Sequence, residues 1–157
     1  MTRAIVQRVS TASVDVGDER IGEIGRGLVV LVGVGANDRP EDGERLAAKV
    51  AGLRIFDDDA GKMSRALTDV AGSVLAVPQF TLYGDTRHGR RPDFAGAAPP
   101  DLGRRLFDAF CGVLRGTGLE VRAGRFGAAM RVTIEADGPV TIALATDAWR
   151  EAEIGKG

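Results

Sequence analysis

The chain has 157 residues, a length that fits one domain of roughly 100–200 residues with a core closed without disulfides. Hydrophobic residues make up 44% of it and charged residues 27%, which excludes a mostly disordered chain. Lys and Arg total 21 against 22 Asp and Glu, and a net charge of −1 excludes a strong overall pull toward nucleic acid.

Residues 3–9 read as a strand that leads through a turn into a second strand at 13–16. Residues 28–34 form the longest apolar run, mostly β-branched, and read as a strand buried on both faces. The run is far shorter than the roughly 18 apolar residues needed to span a bilayer. The first ten residues carry neither an apolar stretch nor a small-residue cleavage site, so no signal peptide is expected. With one cysteine, Cys111, and hence no internal disulfide, the expected location is the cytoplasm.

Asn37-Asp38-Arg39-Pro40 has helix-start chemistry, and Leu46, Val50 and Leu53 then recur at helical spacing, which predicts a helix over 41–53. A short strand at 73–77 is closed by Pro78. Pro99-Pro100-Asp101 opens a second helix with the stripe Leu102, Leu106, Phe110 and Val113, stopped by Gly116 and Gly118. Residues 119–123 read as a strand. Met130, Val132 and Ile134 alternate with polar neighbours, as do Val140, Ile142 and Leu144. Asp137-Gly138 between these runs predicts a hairpin. About seven strands in groups and two helices predict an α+β fold with a largely antiparallel, barrel-like β-sheet and two main α-helices. The expected layout is one domain over 1–146 and a polar C-terminal tail over 147–157, aperiodic apart from Trp149.

Charge is unevenly spread. Residues 84–131 carry nine basic groups, all arginine, against five acidic ones. This is either ordinary sampling or a local arginine surface for phosphate, in which Arg87, Arg90, Arg91, Arg104, Arg105, Arg122 and Arg125 would be the pool, because the guanidinium offers a planar fork of donors.

Several chemical signatures fail on their own terms. Val32-Gly33-Val34-Gly35-Ala36-Asn37-Asp38 follows a strand and precedes a helix, but Asp38 stands where a dinucleotide loop has its third glycine, and its charge would repel a pyrophosphate. Asp57-Asp58-Asp59 before Gly61 lacks the spacing of an EF-hand loop and reads as a solvated turn. His88, the only histidine, lies in a charged loop, and no serine sits in a nucleophile-elbow context to serve it. Cys111 falls beside the apolar stripe of the second helix and reads as a half-buried packing thiol. One Cys and one His cannot build a tetrahedral zinc site.

Two segments carry more. Pro78-Gln79-Phe80-Thr81-Leu82 follows a buried strand. Proline cannot donate to the ladder, so either the strand simply ends here or the N–H groups beyond it turn toward a ligand. Asp137-Gly138-Pro139 is either a rigid turn with a trans proline or a site for a cis bond, which an X-Pro pair permits at about 0.5–1 kcal/mol.

Taken together, these segments resemble the D-aminoacyl-tRNA deacylase family of the D-tyrosyl-tRNA deacylase type. The resemblance begins with Arg3-Ala4-Ile5-Val6-Gln7-Arg8-Val9 and ends with Val140-Thr141-Ile142. Between them lie Gly25-x-Gly27-Leu28, Leu53-Arg54-Ile55-Phe56, Gly61-Lys62-Met63, Gln79-Phe80-Thr81-Leu82-Tyr83, Gly89-Arg90-Arg91-Pro92, Ala97-Ala98-Pro99-Pro100 and Gly124-Arg125-Phe126-Gly127.

The resemblance implies a cytoplasmic homodimer without cofactor, metal or membrane. It would hydrolyse the ester between a D-amino acid and the 3′ end of tRNA and reject L-aminoacyl-tRNA. It assigns Gln79, Phe80 and Thr81 to catalysis, through backbone donors and with help from the RNA's own 2′-hydroxyl. Gly138 and Pro139 become a Gly-cisPro element that reaches from one subunit into the active site of the other and excludes an L side chain. Arg8 steadies that element, and Phe126 and Met130 line an adenosine pocket. Glycine, having no side chain to exclude, is an expected second substrate as glycyl-tRNA.

Three positions depart from the family pattern. Pro78 replaces a serine, Ala136 the asparagine of Asn-x-Gly-Pro, and Asp93 a small hydroxyl residue. Pro78 and Ala136 leave open a noncatalytic module that binds the tRNA 3′ end. A covalent role for Thr81, and a small-molecule esterase using His88, are the remaining alternatives.

Overall fold

A computed structural model describes residues 1–146; the tail read at 147–157, with Trp149, lies outside the described residues. The sheet is organised around β1 (Arg3–Val16), which pairs antiparallel with β2 (Glu19–Ile24) and β3 (Gly27–Gly33) along one edge. Its other edge pairs antiparallel with β8 (Arg131–Ala145). Beyond β3 the sheet continues in parallel through β6 (Ser73–Pro78) and β7 (Glu120–Ala123). Parallel neighbours need long crossovers, and the two helices supply them. The helix α1 (Pro40–Gly52) lies between β3 and β6 in the chain, and α2 (Pro100–Gly116) between β6 and β7. A short ribbon, β4 (Phe56–Asp57) with β5 (Met63–Arg65), completes the set. The fold is α+β as expected, and its barrel-like sheet is mixed, antiparallel around β1 and parallel from β3 through β7.

The apolar run of β3 is buried on both sides because two cores meet there. One face, with Leu28, Val30, Val32, Val74 and Ala76, packs on Leu46, Ala47 and Val50 of α1 and on Phe107, Phe110 and Leu114 of α2. The opposite face, with Val29, Leu75 and Val77, closes over Val9, Ala12, Val14 and Ile24 inside the curled sheet. The curl brings β2 against β6 and β7. A Cβ on Gly22 would lie 3.4 Å from Leu75 Cδ1 and 3.5 Å from Arg122 Cβ. The buried face of α2 is Gly103, Leu106, Phe107, Phe110, Cys111 and Leu114. It is turned from the expected stripe, so Leu102 and Val113 sit at its half-buried margin. Cys111 is 2% exposed, fully rather than half buried.

Two expectations about the strands are corrected, and one strand, β2, was not expected. The first two strands are one: β1 runs through with register shifts on its β8 side between Gln7 and Val9 and between Val9 and Thr11. The strand β2 left little apolar signal, since only Gly22 and Ile24 of it are buried. The hairpin at Asp137-Gly138 does not exist. Residues on both sides of it pair with β1 as one strand running in one direction. Gln7 pairs with Thr141 and Val9 with Ala136, so Asp137, Gly138, Pro139 and Val140 stand opposite Arg8 alone. The Asp-Gly pair marks a bulge of unusual size, with Gly138 at φ +126°.

The glycines of this frame give a paired test. A Cβ on Gly27 would lie 1.8 Å from the Ser73 carbonyl oxygen, whereas one on Gly112, in the interior of α2, meets nothing within 4 Å. Urea titration should show Gly27→Ala losing about 3 kcal/mol or more. Gly112→Ala should gain about 0.5–1 kcal/mol from helix propensity.

Candidate active site

The site begins where β6 runs out of ladder. Pro78 pairs with Val32, and the next N–H, that of Gln79, donates to the Val32 carbonyl at 2.8 Å. The chain then coils into a 3-10 turn over Phe80–Tyr83, whose opening bond is Leu82 N–H to Gln79 O at 3.3 Å. The first donors of such a turn have no internal acceptor. The N–H groups of Phe80 and Thr81 therefore meet no acceptor among the described residues. Of the donors expected past Pro78, that of Gln79 belongs to the sheet and these two do not. The Gln79 side-chain Nε2 donates to Thr81 Oγ1. From β1, Arg3 Nη1 donates to Leu82 O at 3.1 Å, and its guanidinium lies 4.4 Å from the centre of the Tyr83 ring.

Beside this turn opens a cavity of about 280 Å³, walled by Val77, Pro78, Gln79 and Phe80 on one side and by Phe126, Met130 and Val132 on the other. Phe80 is 58% exposed at its lip, and its ring meets Phe94 edge-on with centroids 5.2 Å apart. Phe126 is held from behind by α2. A Cβ on Gly103 would lie 3.1 Å from Phe126 Cζ, and the Arg104 guanidinium stands 5.5 Å from the ring centre. The absence of a side chain at Gly124 lets Met130 Sδ and Pro78 Cδ come within 2.8 and 3.3 Å of where its Cβ would be. The structure thus brings Gln79, Phe80, Phe126 and Met130 around one apolar hollow, with Thr81 joined to it through Gln79.

Gly138 and Pro139 are elsewhere in the chain. Both are exposed on the bulge of β8, the peptide bond between them is cis, and neither lines the cavity. Beneath them Arg8 is 7% exposed and spans two elements. Its Nε donates to Asp137 O at 3.0 Å and its Nη1 to Ile55 O at 2.8 Å. Asp57 Oδ1 lies 3.4 Å from Nη1 and Asp137 Oδ2 lies 3.6 Å from Nε. The sequence reading named Arg8 but missed Ile55 and Asp57 as its partners, since nothing local links positions so far apart in the chain.

The discarded signatures have structural uses. Asp38 is buried and accepts from Gly35 N–H at 2.8 Å, from Thr2 Oγ1 at 2.7 Å and from the Met1 amine, so it closes its loop from within. Asp58 accepts from Ala60 N–H, Lys62 N–H and Ser64 Oγ, and the Ser64 bond followed by that of Lys62 holds its carboxyl below the usual range. Among the described residues no group of three or more His, Cys, Asp or Glu side chains is placed to hold a metal ion. His88 is exposed in the loop after Gly84, and burial pushes the Cys111 thiol up to about 11. No helix among the described residues is long and apolar enough to cross a membrane.

The fold belongs to a known class. A solved structure described as a probable eukaryotic D-amino acid tRNA deacylase superposes with a TM-score of 0.81 over 92% of this chain and 99% of its own; at 21% identity it speaks for the fold alone. Another, described as a c-Myc DNA unwinding element binding protein, superposes with a TM-score of 0.85 over 91% and 97% at 41% identity. Sequence makes the assignment narrower. The family model of D-Tyr-tRNA(Tyr) deacylase matches residues 5–145, and the chain belongs to that family. The D-aminoacyl-tRNA deacylase of Roseiflexus sp. (strain RS-1) is 54% identical over 95% of this chain and 96% of its own. That of Ruegeria sp. (strain TM1040) is 52% identical over 99% of both.

Two outcomes follow from this geometry. Cys111, held protonated by burial, should resist iodoacetamide at about pH 8 in the folded protein and react once urea unfolds it, as mass spectrometry will show. Arg8→Lys cannot donate to Asp137 O and Ile55 O with one fork, and chemical denaturation should show a loss of about 1–3 kcal/mol.

Proposed function

We propose that the chain hydrolyses the ester bond between a D-amino acid and the 3′ end of tRNA, and that it spares L-aminoacyl-tRNA. The observation that carries this reading is the pair of unclaimed N–H groups at Phe80 and Thr81, in a turn whose first residue, Phe80, lines a cavity together with Phe126 and Met130. The family supports it as well: relatives more than 50% identical over nearly the whole chain bear the name D-aminoacyl-tRNA deacylase.

An aminoacyl ester is already activated, so the enzyme needs to hold it and to stabilise the oxyanion that forms. Each well-aimed donor contributes about 2.7–4 kcal/mol to the transition state. The two N–H groups are fixed by the turn itself and need no reorganisation. The terminal adenosine takes the apolar hollow, and its 2′-hydroxyl is the group nearest the reacting carbonyl. Thr81 Oγ1 accepts from Gln79, and neither an imidazole nor a carboxylate is bonded to it among the described residues. That arrangement suits a positioned hydroxyl better than an attacking one.

Handedness is sensed by the carbonyl oxygens of Gly138 and Pro139. They accept the ammonium of the amino acid and stand where an L side chain would have to go. On one chain these residues are exposed and remote from the cavity. A second copy therefore supplies them, in a homodimer whose two sites each draw on both subunits. Rejection by exclusion places no demand on the D side chain and admits glycine. The working unit is a single domain over 1–146, acting in the cytoplasm as a proofreading step of translation.

Matched D- and L-tyrosyl-tRNA test the reading. The D ester should be hydrolysed at least a hundredfold faster, on the order of one lost donor's worth of rate, and glycyl-tRNA should also be cleaved. Equal rates would overturn the chiral filter, and tRNA binding without turnover would identify a noncatalytic 3′-end module. Thr81→Ala should keep turnover within about tenfold; its abolition with tRNA binding intact would make Thr81 the nucleophile.

A further inference from the structure

Seven arginines were available for phosphate contacts, and the structure separates them by what each guanidinium already does. Arg122 Nε donates to Glu120 at 3.1 Å, and Arg125 Nη2 stands 3.7 Å from Glu19. Arg87 is forked onto Asp85, with Nη2 at 2.6 Å and Nε at 2.9 Å from its oxygens. A phosphate would have to displace a carboxylate from each of these. Arg104 lies over the Phe126 ring. Arg90, Arg91 and Arg105 meet no carboxylate among the described residues.

Arg90 and Arg91 share a loop that grows out of the candidate catalytic turn. Asp85 N–H donates to Asp93 O at 2.8 Å and Asp93 N–H to Asp85 O at 2.9 Å, which pinches residues 86–92 into a closed projection. All of residues 86–93 are exposed. The neck is firm on both limbs. Asp85 also accepts the Arg87 backbone N–H at 3.0 Å, and the Arg87 side chain holds its carboxyl down to about 2. On the returning limb, Phe94 packs against Phe80, the residue at the lip of the cavity. The loop that carries the two guanidiniums is thus anchored beside the mouth of the site.

We infer that this loop docks the RNA backbone: Arg90 and Arg91 take the phosphates of the single-stranded nucleotides next to the one in the cavity. The inference rests on the deacylase reading and extends it to how the substrate is held. Free forks suit phosphate oxygens, and their attraction is local, so a chain of net charge −1 can still hold an RNA end. Arg87 shapes the loop, and β7 contributes no phosphate contact.

The test measures binding of uncharged tRNA against salt concentration, and turnover of D-tyrosyl-tRNA, in the full chain. Arg90→Ala/Arg91→Ala should raise Kd about tenfold and flatten the salt slope by about 1.4, with KM raised and kcat kept. Arg90→Lys/Arg91→Lys should restore the slope. Arg45→Ala/Arg54→Ala removes two exposed guanidiniums outside the loop and should change Kd less than about twofold. An unmoved Kd and slope in the first variant, a Lys pair no better than the Ala pair, or an equal effect in the control would each overturn the inference. A wild-type chain without D-tyrosyl-tRNA hydrolysis would overturn the deacylase reading, and this inference with it.

Discussion

The hydrogen bond from Gln79 N–H to the Val32 carbonyl decides where the sheet stops. Pro78 has no N–H to give, so the parallel ladder between β3 and β6 makes its final connection one residue later. From that fixed point the chain turns at once into a tight coil, and the next two donors meet no acceptor among the described residues. Had the ladder continued, those N–H groups would have been consumed by it. Pro78 takes no bond from the ladder, because Gln79 makes the last connection to Val32. The candidate oxyanion donors are what an interrupted strand leaves over.

Arg8 plays the corresponding part on the far edge of β1. A guanidinium buried under a bulge is expensive unless its donors are used, and here they reach Asp137 O and Ile55 O, with Asp57 alongside. The bulge holds four residues opposite one, so its form cannot come from ladder bonds. A side chain fills the place of the missing ladder. A Cβ at Gly138 would lie 3.0 Å from Arg8 Nη2 and from Val140 Cγ2, which ties the glycine to the arginine as firmly as its φ does. Ala136 has no side-chain donor, and the Arg8 contacts reach the backbone at Asp137 and Ile55 without one.

Much of this was legible in the sequence. Residues 28–34 announced a doubly buried strand because both faces of β3 meet a core, and the caps of both helices were written in proline. Gln79, Phe80, Phe126 and Met130 were assigned by resemblance and meet around one cavity. The failures share one cause. A hairpin and a bulged strand carry the same alternation and the same Asp-Gly, and they differ only in which strand lies alongside. Likewise, β2 turns mostly polar residues outward, and the break expected within β1 is only a shift of register against β8. Which arginines are free was only partly legible: Asp85 and Glu120 stand two residues from Arg87 and Arg122, whereas Glu19 meets Arg125 only in the fold.

The bulge that displays Gly138 and Pro139 also protects the molecule. Among the described residues β8 pairs on one side only, and fifteen residues of open strand invite an unwanted neighbour. A foreign strand laid along that border would lose its register at Asp137 and could not regain it before Thr141. Polymerisation through this rim is therefore interrupted halfway, by the same irregularity that leaves Gly138 and Pro139 exposed.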